Sequence, residues 1–235
     1  MNIVYALTRN IYDHLLPSIN SLYKQHPDAK VYILCEDDEF PLKIPFEAKV
    51  VNVSNQKYFP KDNPNMNSVF TYMAMVRACY ADLFPRMQKV IQLDIDTLVM
   101  DSLEPLWKTD LTDKWFAACP EYEGQYNPFG HDRYYNIGVC LFNLQQMRKD
   151  GADAQLVDLL NSKQLKYLEQ DALNIIGVPD KVVGLPVRYN ECFCCGYTDN
   201  PAIVHFAGYL NWWVNKRMYR RELLDEWKRA TKVEL

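Results

Sequence analysis

The sequence predicts an α/β fold with a mostly parallel central sheet flanked by helices, and three observations carry that prediction. Short apolar runs rich in Val, Ile and Leu recur along the chain at residues 2–7, 30–35, 48–53 and 89–93. Between the first two lies a segment whose apolar residues return at helical spacing, and strand–helix–strand order at short intervals argues for parallel strands joined by crossover helices. The third observation is bulk: 235 residues, 49% apolar and 24% charged, are enough for one large domain with a sizeable core.

Residues 2–7, Asn-Ile-Val-Tyr-Ala-Leu, read as the first strand. From Asn10 to Tyr23 the apolar positions Ile11, Leu15, Leu16, Ile19 and Leu22 mark a helix, in spite of Pro17. Lys30–Cys35 and Ala48–Val53 read as further strands, and residues 55–65, rich in Pro and Asn, as a loop. A helix is expected from Ser68 to Leu83, stopped by Pro85, followed by a strand over 89–93. Leu98–Met100 is another apolar run, and Trp115–Cys119 another short strand. Residues 120–135 are polar and aromatic, the composition of a loop that carries binding groups. Asn136–Leu144 returns to strand, helices are expected near 153–162 and 169–176, and Ala202–Phe206 is a last strand with His205 at its end. Residues 216–230 read as a charged helix, within a C-terminal segment over 215–235. No linker divides the chain, so residues 1–235 are expected to form one domain.

Bulk charge excludes some functions. A net charge of −4 gives no electrostatic case for binding nucleic acid. The first residues lack a basic region followed by a long apolar core, and no apolar run approaches the ~20 residues of a membrane span. A cytoplasmic setting is therefore expected, and there the seven cysteines are reduced thiols. Cys192, Cys194 and Cys195 lie close together without a second pair at metal-ligand spacing, so a loop-packed group is expected rather than a zinc site.

Chemistry concentrates at Leu93-Asp94-Ile95-Asp96. Carboxylates inside an apolar strand cost several kcal/mol each unless paired, as an order of magnitude. At the end of a strand they become inexpensive if a cation neutralises them. Side chains at i and i+2 share a face, so Asp94 and Asp96 can converge on one metal ion, in the position outside the carboxyl ends of strands where open α/β sheets bind ligands.

These blocks, taken in order, resemble glycosyltransferase family 8, which includes glycogenin and bacterial lipopolysaccharide galactosyl- and glucosyltransferases. The resemblance runs from Tyr5 to about Trp213. Tyr5-Ala6-Leu7-Thr8-Arg9-Asn10-Ile11-Tyr12 resembles the first strand and the loop that hold uridine. Arg77 stands where the family has a basic residue facing the nucleotide sugar, and Asp94-Ile95-Asp96 matches its Asp-x-Asp motif. Asn136-Ile137-Gly138 is similar to its Asn-x-Gly strand beside the sugar, and Glu169-Gln170-Asp171 to its Asp-Gln block. Leu185-Pro186-Val187-Arg188-Tyr189-Asn190 resembles its Leu-Pro-x-x-x-Asn block, and His205-Phe206-Ala207-Gly208 its His-x-x-Gly, whose histidine is the third metal ligand.

The resemblance implies a single Rossmann-like, nucleotide-sugar-binding domain of the GT-A type, and an enzyme that moves a hexose from UDP-glucose or UDP-galactose to a glycan or glycolipid acceptor with retention of configuration. Asp94, Asp96 and His205 would hold the metal. Carboxylates with one imidazole suit manganese, with magnesium as the alternative. Ala6, Leu7, Thr8, Tyr12, Arg77, Ile95, Asn136, Gly138, Gly208 and Asn211 would line the donor site, and Glu169, Gln170, Asp171 and Arg77 the reacting centre. Two departures stand out: Asn211 replaces the usual diphosphate-binding Lys, and Glu169 replaces the commoner Asp. Gln170 sits at the family's debated nucleophile position, and an amide is a poor nucleophile. That favours attack by the acceptor on the face the diphosphate leaves. The locally basic stretch around Lys216, Arg217, Arg220 and Arg221 suits peripheral contact with the inner membrane surface. Two other readings of the same residues stay open: a nucleotidyltransferase using the Asp pair, and a non-catalytic sugar-nucleotide-binding domain.

Overall fold

The computed structural model describes residues 1–68, 70–122, 127–130, 132–207 and 222–223. Nine strands are described: β1 (Asn2–Ala6), β2 (Lys30–Cys35), β3 (Lys49–Asn52), β4 (Val90–Leu93), β5 (Thr97–Val99), β6 (Phe116–Pro120), β7 (Tyr135–Phe142), β8 (Val182–Gly184) and β9 (Ile203–His205). The described α-helices are α1 (Leu15–Gln25), α2 (Tyr72–Val76), α3 (Tyr80–Leu83), α4 (Glu104–Trp107), α5 (Leu144–Asp150), α6 (Ala152–Ser162) and α7 (Leu168–Gly177).

Seven strands form one sheet in the order β3-β2-β1-β4-β7-β6-β8. The β3-β2-β1-β4 half is parallel, and β7 runs antiparallel between β4 and β6. The expected mostly parallel sheet is therefore present, with one reversed strand. Every residue of β4 and of β7 is buried, as in strands covered on both faces. Alternation assigns most side chains: Ile3, Tyr5, Ile91, Leu93, Val139 and Leu141 enter one core with α1 and α4, while Val4, Val90, Cys140 and Phe142 enter another with α2, α3, α5, α6 and α7. Ile137 joins the second core because the β6–β7 register shifts between Asn136 and Cys140. The result is three layers, helices on both faces of the sheet.

The chain leaves β1 outward through β2 and β3, then returns to β4 on the other side of β1. That reversal opens a crevice at the carboxyl ends of β1 and β4, the position where open α/β sheets take ligands. The loop after β1 and the Asp94–Asp96 turn both border it.

Several expected elements shift for physical reasons. The first helix begins at Leu15, after a 3₁₀ turn over Arg9–His14. Pro17 lacks the N–H that a longer α-helix would need there, and its ring would meet the carbonyl of Asp13, so it is tolerated only in the first turn. The expected Ser68–Leu83 helix starts at Tyr72, because the Ser68 hydroxyl accepts the Phe70 N–H at 2.9 Å. It is also broken into α2, a 3₁₀ turn over Arg77–Cys79, and α3. Helix α5 lies where the strand was expected to run on to Leu144: Asn143 caps it by accepting the Gln146 N–H at 3.1 Å, and Gly151, at φ 63°, ends it in the left-handed region. The loop over 55–65 is anchored by Asn63 and Asn65, whose amides both donate to the Leu160 carbonyl at the end of α6. Gly208, Asn211 and most of the expected C-terminal helix lie outside the described residues.

Candidate active site

β4 ends at Leu93, and the next residues turn the chain into β5. The turn is held from below by a buried hydroxyl chain. Tyr5 donates to Ser18 at 3.1 Å, Ser18 to Thr97 at 2.9 Å, and Thr97 to the Asp94 carbonyl at 2.7 Å. β5 then pairs antiparallel with β9 in a register that sets Thr97 opposite His205. The Phe206 N–H closes the ladder on the Asp96 carbonyl at 2.9 Å. This small sheet brings His205 beside the two aspartates: Nε2 lies 3.2 Å from Asp96 Oδ1 and 3.7 Å from Asp94 Oδ2. The candidate ligand atoms of Asp94, Asp96 and His205 all lie within 4.8 Å of one another, and among the described residues they are the one such group of His, Cys, Asp and Glu side chains. Two hard carboxylate oxygens and one imidazole nitrogen fit a divalent first-row ion. Burial opposes charge on His205, but Asp96 outweighs it and holds the imidazole proton well above the ordinary range. Binding a cation at Nε2 would release that proton.

A second layer of polar side chains aims the first. His205 Nδ1 bonds Asn190 Oδ1 at 2.8 Å, which leaves Nε2 free to ligate. The Asn190 amide donates to Asn136 Oδ1 at 2.9 Å, and the Asn136 amide donates to Glu121 at 3.1 Å. Asn136 Oδ1 also accepts the Gly138 N–H at 3.1 Å. Asn190→Ala is expected to weaken Mn²⁺ binding by ~10–100-fold, the usual cost of losing the partner that orients a metal-binding histidine. A Mn²⁺ titration read by electron paramagnetic resonance checks it, and unchanged affinity would show that something other than Asn190 orients the ring.

Arg77 bridges two elements. Its guanidinium donates to Asp94 Oδ1 through one nitrogen and to Glu169 Oε1, at the start of α7, through the other. Leu168, at φ 49°, makes the left-handed turn that delivers Glu169 to this position, a conformation costing roughly 1–2 kcal/mol. Asp94 also accepts from the Gln92 amide at 2.8 Å. Burial pushes the Asp94 carboxyl above its usual range against the pull of Arg77, and pushes Glu169 up to about 7 for the same reason.

The sequence matches the family model described as Glycosyl transferase family 8 over residues 2–216. The chain belongs to glycosyltransferase family 8. Among its relatives is a putative glycosyltransferase of Haemophilus influenzae, 28% identical over 217 residues, which cover 81% of this chain and 63% of that protein. The glycosyltransferase GlyA of Streptococcus pneumoniae is 25% identical over 90% of this chain and 32% of its own length. This family 8 chain thus spans less than two thirds of either relative. Its fold is that of the galactosyltransferase LgtC, whose crystal structure with donor and acceptor sugar analogues aligns with a TM-score of 0.79 at 23% identity, covering 100% of this chain and 98% of that one. The expected GT-A architecture is therefore present.

The remaining expected residues are placed as follows in this family 8 chain. Leu7 is tied to Leu34 by its N–H at 3.0 Å, Thr8 bonds Asn10 at 2.7 Å, and the Tyr12 hydroxyl donates to Asp37 at 3.0 Å. With Ala6 they make the end of β1 and the turn after it, where Leu7, Thr8 and Tyr12 are buried, while half-buried Ile95 sits between the aspartates. The Gln170 and Asp171 side chains are used internally. Gln170 accepts the Ile137 N–H at 2.9 Å and donates to the Tyr134 hydroxyl at 3.0 Å. Asp171, fully buried, accepts from Tyr134 at 2.6 Å and from the Tyr167 N–H at 3.0 Å. The two residues therefore join α7 to β7. Asn136, expected beside sugar hydroxyls, likewise commits its amide to Gly138, Asn190 and Glu121. Cys192 and Cys195 pack with Cys119 in a small buried group, as expected of a loop cluster.

Glu121 was not foreseen as a site residue, because nothing in Pro120-Glu121-Tyr122 separates it from any loop acid. Burial pushes its carboxyl up to about 7, with the Asn136 amide pulling the other way. The folded chain thus keeps this proton up to about pH 7, whereas the unfolded chain releases it near 4.5. The group's contribution to stability is complete below pH 4.5 and is lost as pH rises to about 7. Glu121→Gln is expected to flatten that decline, by an amount on the order of 1–3 kcal/mol. Urea unfolding at about pH 5 and pH 8 checks it, and parallel slopes for the two proteins would contradict it.

Proposed function

We propose that this chain is a metal-dependent, retaining hexosyltransferase that moves glucose or galactose from a UDP-sugar to a glycan or glycolipid hydroxyl. The convergence of Asp94, Asp96 and His205 at the crevice between β1 and β4 is the observation that carries this reading. Those three side chains would hold Mn²⁺, or Mg²⁺, which when bound supplies Lewis-acid stabilisation of the charge growing on the departing diphosphate. The segment from Ala6 to Tyr12 would take the nucleoside, and Gly208 and Asn211, which follow His205 in the sequence, are assigned to the diphosphate by the family resemblance alone.

Arg77 would add a fixed positive charge beside the sugar end of the donor, and its charge opposes the protonation that burial favours at Asp94 and Glu169. Retention by a covalent intermediate would need a free nucleophile. Among the acidic block, Glu169 is bonded to Arg77, while Gln170 and Asp171 are spent on Ile137, Tyr134 and Tyr167. This supports attack on the same face: the acceptor oxygen bonds the anomeric carbon, the bond from that carbon to the diphosphate oxygen breaks, and the acceptor proton passes to the leaving phosphate. Glu121, at the end of β6, is suited to hydrogen-bond an acceptor hydroxyl near neutral pH.

The reading takes residues 1–235 as one glycosyltransferase domain working in the cytoplasm, with the basic C-terminal segment touching the inner membrane surface. No helix among the described residues is long and apolar enough to cross a membrane. The decisive experiment is UDP release from UDP-glucose and UDP-galactose with and without Mn²⁺. Metal-dependent turnover in the wild type, lost in Asp96→Asn, is expected. Intact donors, or equal behaviour of the two proteins, would overturn the reading.

A further inference from the structure

At the opposite end of the sheet from the metal cluster lies a cleft of about 740 Å³, within the ~300–1,000 Å³ range of small-molecule sites. It is bordered by the first residues of β1, β2 and β3 and by the turn that leads into β4. Four cations line it, Lys30, Lys49, Arg86 and Lys89, and no carboxylate does. The chain as a whole is acidic, with a net charge of −4, so this is a local reversal of sign. Each of Lys30, Lys49 and Arg86 is exposed, and none of the four forms an ion pair with a described residue. Like charges gathered in a concave space repel one another and focus a positive potential that only an anion relieves.

The walls are aromatic. Tyr32, Phe84 and Trp107 line the same cleft. Lys89 is fixed against that wall: its Nζ donates to the Trp107 carbonyl at 2.5 Å and lies 4.7 Å from the indole centroid. Lys49 lies 5.8 Å from the Tyr32 ring centroid. Cations that read phosphate, beside the half-buried Tyr32 and Trp107 rings against which the C–H side of a sugar can pack, point to one ligand chemistry. We propose that this cleft is a second binding site, for a sugar carrying more than one phosphate.

It is not a donor site. The residues of β4 separate Lys89 from Asp94, and at about 3.3 Å per residue the two ends lie roughly 16 Å apart. The proposal therefore stands apart from the transferase reading, and a ligand here would be gripped at a distance from any reacting centre.

The test is a calorimetric titration of the full chain with glucose 1,6-bisphosphate in EDTA, with glucose and inorganic pyrophosphate as partial ligands. Saturable one-to-one binding is expected, tighter than for either partial ligand and weakened by added salt. Lys30→Glu with Lys49→Glu should weaken it about tenfold or more while leaving the melting temperature and Mn²⁺ affinity unchanged. Arg86→Gln with Lys89→Gln is the second variant if the first fails to fold. No saturable binding, or equal affinity in the charge variants, overturns the proposal. So does binding confined to phosphatidylglycerol vesicles and lost in the variants, which would make the cleft a lipid contact.

Discussion

Gly138→Ala is expected to empty the metal site in a protein that still folds. A Cβ added at Gly138 would run into His205 Cε1 and lie 2.9 Å from both His205 Nδ1 and Asp94 Oδ2. Such contacts do not exist in folded proteins, so either the imidazole moves or β7 does. β7 is held by β4 on one side and β6 on the other, and the Gly138 carbonyl itself accepts the Asp94 N–H at 2.8 Å. The imidazole is the softer element, since side-chain contacts to Asn190 and Asp96 and its place in the short β9 hold it, whereas β7 is tied by backbone ladders. Moving it by about 1 Å breaks the convergence with Asp94 and Asp96, and misplacements of that size commonly cost ~100-fold in rate. Mn²⁺ affinity and metal-dependent UDP release should therefore fall together, by about 100-fold or more, while far-ultraviolet circular dichroism is retained. Affinity within about threefold of the wild type would show that the strand yields instead of the ring.

The aspartates were legible because their signal is local: an apolar strand followed by Asp-x-Asp states both the burial and the place where burial ends. Asn136-x-Gly138 and His205 were legible only as a pattern, and what the pattern encodes is steric. Gly138 leaves free the space that the imidazole fills, a fact that exists only once β9 has paired with β5. The work of Asn190, Glu121 and Tyr134 could not be read at all, because it rests on contacts between residues far apart in sequence, such as Asn136 with Asn190 and Tyr134 with Asp171. The same limit explains the roles of Gln170 and Asp171. At the start of a helix, acidic and amide side chains look like site residues or dipole partners, and only the position of β7 shows that they hold it. Strands of the parallel half were readable as continuous apolar runs, whereas β8, three residues long, takes its identity from pairing with β6. Helix α5 was hidden by the apolar β7 run before it, although Asn143 and Gly151 were its cap signals.

Replacing Arg77 should separate the metal from the turnover. In Arg77→Met, Asp94 and Glu169 lose their shared counter-ion: Glu169 stays buried at 1% exposure, and the Asp94 side chain, 29% exposed, stays partly so. Removing one partner of a buried ion pair costs ~3–5 kcal/mol. Because the stranded groups are acids that burial already biases toward protonation, the penalty should be larger at pH 8 than at pH 5, where they take up protons. Metal affinity should go the other way. Arg77 occupies Asp94 Oδ1 and sets a positive charge next to the ligands, a repulsion of about 7 kcal/mol between a single and a double charge ~5 Å apart at an effective dielectric constant near 20. Its loss should leave Mn²⁺ affinity near pH 8 equal to or tighter than that of the wild type. Turnover should still fall by about 100-fold or more, since the fixed charge at the sugar end and the placement of Glu169 both disappear. Arg77→Lys should regain part of the stability but little of the rate, because one ammonium cannot bridge two carboxylates as the planar guanidinium does. Denaturant midpoints, Mn²⁺ titrations and UDP-release rates on the three proteins test each part. If Mn²⁺ affinity collapses in Arg77→Met as it should in Gly138→Ala, then Arg77 serves mainly to hold Asp94 in place, and its charge is not what speeds the reaction.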